Sequence, residues 1–190
     1  MSVHAQLLSS IPKVGIVLFI GDIRTGKSCL AYGLLEVFHQ QDPGRPLHVF
    51  GFPKVKADLL PGWLTPTDDV EFPDNSIVLV DEAYRQFHSR ESMSARNKFI
   101  DILVGLAGQK ETLIFFITQA SRKLDIALVS GAQALLIKKP SIMMVKLDRS
   151  PMRETLSDAL NAFRNSKVTP HLSTYVVSDS FEGLIENSNT

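Results

Sequence analysis

The sequence has little of what secreted scaffolds, membrane proteins and nucleic-acid sheaths are made from. Its one cysteine, Cys29, among 190 residues excludes an internal disulfide and suits a reducing compartment. Long hydrophobic runs are missing too. The longest, Val14 to Ile20 and Leu113 to Ile117, fall far short of the roughly 20 residues that a helix needs to cross a bilayer. The opening Met-Ser-Val-His-Ala-Gln lacks the basic start of an export signal, so a protein that is neither secreted nor membrane-spanning is expected. Net charge is absent as well: twenty basic residues balance twenty acidic ones. That excludes a whole-surface electrostatic grip on nucleic acid and leaves only a local basic patch for such a role. The five histidines, His4, His39, His48, His88 and His171, show no metal-ligand spacing. No hydrolytic nucleophile motif, haem motif or internal repeat is present.

What is present begins with Gly21-Asp22-Ile23-Arg24-Thr25-Gly26-Lys27-Ser28, directly behind the apolar run Val14 to Ile20. A glycine, four residues, then Gly-Lys-Ser is a phosphate cradle. Successive backbone N–H groups turn inward in such a loop, and the helix that follows adds the positive end of its dipole. The flanking sequence agrees. Val14 to Ile20 reads as a strand buried on both faces, and Cys29 to Gln41 places Leu30, Leu34, Val37 and Phe38 at helical spacing. In this reading residues Gly21 through Cys29 hold ATP, Lys27 reaches the β- and γ-phosphates, and the Ser28 hydroxyl ligates Mg²⁺. Cys29 is expected to be a small packing residue in the helix.

Two further strand tips carry chemistry. Ser76-Ile77-Val78-Leu79-Val80 ends in Asp81-Glu82, a buried strand presenting two carboxylates. Asp81 is suited to hold the Mg²⁺ through its water shell and Glu82 to polarise an attacking water as general base. Thr112 to Thr118 ends in Gln119, whose amide can donate to a phosphate oxygen while accepting from water.

The rest of the chain is expected to support these elements. At 44% hydrophobic and 21% charged residues, one domain over residues 1–177 with a single core is expected, followed by a frayed polar tail over 178–190. Residues 1 to 12 read as a lead-in and Leu47 to Phe50 as a short strand. The proline-rich stretch 51–75 reads as a loop-rich connection plugged by Trp63. A basic segment, Tyr84 to Lys98, precedes a helix near Ala95 to Ala107 that stops at Gly108, and a short helix spans Ser121 to Val129. Ala134 to Ile137 and Met143 to Leu147 read as paired strands hinged at Lys139-Pro140-Ser141. Ser150-Pro151 starts a helix with Leu156, Ala159, Leu160 and Phe163 on its apolar face, and a last strand lies near Ser173 to Val177.

In this order, the phosphate loop, the Asp81-Glu82-Ala83-Tyr84 strand end and the Thr118-Gln119 strand end resemble the HerA/FtsK superfamily of P-loop ATPases, motors that move DNA. Leu124-Asp125 after the glutamine strand adds to the likeness, which covers roughly Val14 to Lys139. The short members it is most similar to are the genome-packaging ATPases of membrane-containing icosahedral viruses. Zot-like phage assembly and secretion ATPases share the motifs but usually carry a membrane-spanning segment after the ATPase domain. The resemblance implies a three-layer α/β fold of RecA/ASCE type, a mostly parallel sheet with helices on both faces and β additions at its C-terminal end. It also implies that the Gln119 strand lies between the phosphate-loop strand and the Asp81 strand, where Gln119 senses hydrolysis. Implied partners are double-stranded DNA, a hexameric or pentameric ring of identical subunits, and a capsid or membrane-protein partner. The implied location is the host cytoplasm or a packaging vertex. An arginine from a neighbouring subunit completes each site in that family. Here the segment before the glutamine strand reads Gly108-Gln109-Lys110, so Arg90, Arg96 and Arg122 are the candidates, with Lys110 lacking their bidentate fork. A nucleotide-gated interaction protein and a small-molecule kinase are the alternatives on the same scaffold. A kinase calls for an arginine-rich lid after the third strand, where this chain offers Arg122, and Glu82 is a base that kinases usually lack.

Overall fold

The structure is a computed structural model that describes residues 5–68, 72–81, 101–105, 107–119, 126–149 and 152–188. Glu82, Arg90, Arg96 and Arg122, the Tyr84 to Lys98 segment and the Ser150-Pro151 helix start lie outside the described residues.

Strands β1 (Gly15–Ile20), β4 (Ile77–Asp81) and β5 (Leu113–Thr118) are buried at every residue. Their sequences are nearly unbroken β-formers because helices cover both faces and no position can remain polar. They belong to an eight-stranded sheet ordered β3-β2-β4-β5-β1-β6-β7-β8, in which β2 is Leu47–Phe50, β3 is Leu64–Thr67, β6 is Ala132–Ile137, β7 is Ser173–Ser178 and β8 is Glu182–Glu186. The first six strands in that order pair in parallel, whereas β7 joins β6 and β8 joins β7 antiparallel. The glutamine strand β5 therefore lies between β1 and β4. Ile20 is level with Thr118, and Asp81 with Ile117.

Alternate side chains split the core in two. Val17 and Phe19 of β1 with Phe115 and Ile117 of β5 pack beneath α2 (Lys27–Gln41), through Leu30, Ala31, Leu34 and Leu35, and near Leu7 of α1 (Ala5–Ser9). Ile16, Leu18, Ile20, Ile114 and Phe116 face the other way. They meet Leu103, Leu128 of α3 (Ile126–Ser130), Met144 of α4 (Ile142–Leu147), and Met152, Leu156, Ala159 and Phe163 of α5 (Met152–Asn165). Each such Val, Leu, Ile, Phe or Met side chain stabilises the fold by roughly 1.5–3 kcal/mol on burial. The result is the expected three-layer α/β architecture.

Several expectations are corrected. Residues 142–147 form a helix, not a strand paired with β6. Ser141 caps it, accepting a 3.1 Å bond from the Met144 amide, and β6 pairs with β7 instead. The expected tail over 178–190 contains β8, tied by the Tyr175 hydroxyl to Glu182 at 2.9 Å. The loop-rich 51–75 stretch holds a 3₁₀ turn, Lys54–Leu59, and the edge strand β3. There Pro66 is tolerated because one side of β3 has no partner strand among the described residues. Trp63 packs partly buried on the core and stacks on His39 at 4.9 Å. The lead-in contains α1. Gly108 does not end its helix: residues 107–109 are helical, and the chain turns at Glu111 with φ 51°.

Candidate functional site

Because β1, β5 and β4 are parallel neighbours, their C-terminal tips reach one edge of the sheet together. The loop after β1, the Asp81 tip of β4 and Gln119 beyond β5 therefore meet there. They line a cavity of about 240 Å³ whose walls are Ile23, Arg24, Thr25, Gly26, Lys27, Ser28, Cys29, Asp81, Ile117 and Gln119. All of these except Ile117 are expected from the sequence. Gly21 and Asp22 do not line the cavity; they contribute backbone carbonyls to Lys27.

The loop has this shape because two glycines permit it. Gly26 takes φ 89° at the start of α2, a left-handed conformation that costs other residues energy. At Gly21 a Cβ would lie 2.8 Å from Lys138 Cβ, so no larger residue fits. Thr25 braces the turn, its hydroxyl donating to the Asp22 carbonyl at 2.8 Å. Arg24 sits at φ 62° and is exposed.

Gly26 offers no side-chain acceptor to the first turn of α2. The amides there, and the positive end of the helix dipole, open onto the cavity, an arrangement that favours an anion. Lys27 is 6% exposed, and its Nζ donates to the carbonyls of Gly21 at 2.9 Å and Asp22 at 2.7 Å. Ser28 Oγ donates to Asp81 Oδ2 at 3.1 Å, so a hydroxyl and a buried carboxylate from two elements 53 residues apart face one point. That oxygen pair, beside an anion-favouring loop, fits a hard divalent cation such as Mg²⁺. Gln119 is half-buried and lines the same cavity.

One correction arises here. Cys29 is exposed and lines the cavity, so it is not a packing residue. Lys110 sits before β5, at the opposite edge of the sheet, with its Nζ donating to the Phe72 carbonyl at 2.9 Å. The sequence reading missed Lys138, which lies behind the loop. Its only signal was a cation following an apolar strand, because nothing local says that β6 runs beside β1.

Solved structures share this fold. The DNA-packaging ATPase B204 of Sulfolobus turreted icosahedral virus aligns over 94% of this chain and 98% of its own, with TM-score 0.56 and 14% identity. The genome-packaging NTPase B204 of Sulfolobus turreted icosahedral virus 2, in complex with sulfate, aligns over 94% and 98% with TM-score 0.60 and 11% identity. The chain has the fold of a viral genome-packaging ATPase. The same virus 2 protein in complex with AMPPCP aligns over 94% and 99%, with TM-score 0.58 and 11% identity. No protein-family model matches the sequence, and a comparison with curated proteins finds no match. In this packaging-ATPase fold the cavity lies where three parallel strand tips converge, the usual place for a ligand in an open α/β sheet.

Proposed function

We propose that the protein is an ATP-hydrolysing motor of HerA/FtsK type that translocates double-stranded DNA, packaging a viral genome as a ring of identical subunits. The observation that carries this reading is the position of β5, between the phosphate-loop strand and the Asp81 strand, with Gln119 on the cavity wall. Likeness to the B204 proteins, one of them in complex with ATP-gammaS, supports it. ATP is held by the amides of the Gly21 to Cys29 loop, and Lys27 releases the loop carbonyls to meet the β- and γ-phosphates. Ser28 and Asp81 hold Mg²⁺, which when bound neutralises charge on the phosphates. Glu82, the residue after Asp81, takes a proton from the attacking water, and Gln119 orients that water and reports loss of the γ-phosphate. Arg90, Arg96 or Arg122 of a neighbouring subunit supplies the remaining cation, worth ~10³ to 10⁵ in rate where such fingers act. The ring would work in the host cytoplasm or at a packaging vertex, against a capsid or membrane-protein partner.

ATPase rate per subunit, measured against protein concentration with and without linear double-stranded DNA, tests the reading. It should rise with both. A rate indifferent to concentration and to DNA would remove the motor and leave only a nucleotide-binding protein.

A further inference from the structure

Lys138 is the most deeply buried charged side chain among the described residues, 1% exposed. It follows β6 directly, and its amide donates to the Ile20 carbonyl at 2.8 Å, which fixes it beside the exit of β1. From there the side chain runs behind the phosphate loop from end to end. A Cβ at Gly21 would meet Lys138 Cβ at 2.8 Å, and one at Gly26 would meet Lys138 Cε at 3.9 Å. Its Nζ donates to the carbonyls of His171 and Ser173, both at 2.9 Å. The His171 carbonyl also lies 3.6 Å from the same Gly26 position. One side chain thus fills the space beside both glycine positions of the loop and bonds the start of β7.

Packing alone does not call for this cation. Its acceptors are neutral carbonyls, and a methionine would fill similar volume without desolvating a charge. The cost is visible: burial pulls the ammonium from 10.5 down to about 8, with Cys29 opposing that fall. A fixed charge in a dry site acts over several ångströms with little screening, and the anion that the loop is shaped to hold lies on its far side. We propose that Lys138 is a positioning residue for bound polyphosphate, a buried cation behind the loop that favours the triphosphate and ties the 170–173 segment to loop occupancy. This rests on the nucleotide reading above.

Calorimetric titration of the full chain and of Lys138→Met with ATP, ADP and adenosine tests it. Affinity should fall about tenfold for ATP, less for ADP and not at all for adenosine. Equal ATP affinity in the two proteins overturns the proposal. So does an equal loss for all three ligands, which marks general damage. If Lys138→Met does not fold, hydrogen exchange in the parent decides: ATPγS should slow exchange over residues 170–174 more than ADP does, and unchanged exchange there overturns the coupling. Lys27→Ala runs alongside. If it binds ATP as the parent does, the nucleotide reading fails and this proposal with it. If it loses ATP while Lys138→Met does not, only the role of Lys138 fails.

Discussion

On one flank of β1 lie β5 and β4, parallel and buried at every residue; on the other lie β6 and then the antiparallel pair β7 and β8, partly exposed along their lengths. The first flank delivers Gln119 and Asp81 to the front of the phosphate loop. The second delivers Lys138 to its back, held by carbonyls near the start of β7. In the proposed account one loop is addressed from two sides: the reacting groups come from the inner parallel strands, and the second flank braces the loop from behind. If the flanks are divided in this way, front substitutions should change chemistry and spare stability, while removing the cap of α4, beyond Lys138, should do the reverse.

The largest expected effect belongs to Glu82, the proposed base. Glu82→Gln keeps the side chain's shape and removes the carboxylate, so turnover should fall by ~10²-fold or more while equilibrium titration shows ATP binding retained. Turnover near that of the parent would mean that another group activates the water.

Lys27→Ala comes next. It removes a charged donor from the loop, so ATP affinity should fall about tenfold to a hundredfold, read by calorimetry. The melting temperature should change little, since the amine points to loop carbonyls and not into either core.

Gln119→Ala should lower hydrolysis about fivefold to tenfold, the scale of one lost hydrogen bond, and leave ADP affinity unaltered. A parallel loss of ADP affinity would make Gln119 part of the binding wall instead of a sensor.

The smallest effect belongs to the other flank. Ser141→Ala removes the cap of α4 and should cost about 0.5–2 kcal/mol of stability by denaturant unfolding, with turnover per folded molecule unchanged. A fall in turnover without a fall in stability would erase the proposed division between the flanks.

The two flanks also differ in how clearly they are written in the chain. Strands β1, β4 and β5 are legible because both faces are covered, so every side chain from Ile77 to Val80 must be apolar. Helix α5 is legible because Leu156, Ala159, Leu160 and Phe163 repeat at its period, and all four are buried. The edge strands are not. In β3 only Leu64 is buried, and in β8 only Ile185, so neither carries a period, and Pro66 argues against a strand locally. Residues 142–147 mislead because a six-residue segment, apolar but for Lys146, fits a strand or a helix equally well. The Ser141 cap settles it, and Ile142, Met143 and Leu147 remain exposed at 49%, 61% and 51%. At the site, the glycine loop, Asp81 and Gln119 are each announced by their own strand. Lys138 is not, because its meaning depends on the pairing of β6 with β1, a contact between residues more than a hundred positions apart.

The central claim is that a nucleoside triphosphate sits between the β1 loop and the tips of β4 and β5. A structure of the full chain with Mg²⁺ and ATPγS tests it most directly. The account predicts the γ-phosphate on Lys27 Nζ, the metal on Ser28 Oγ with Asp81 in its water shell, and the Gln119 amide within hydrogen-bonding distance of the γ-phosphate or of the water poised to attack it. A nucleotide bound away from this loop, or Gln119 turned out of reach of the γ-phosphate, would contradict it.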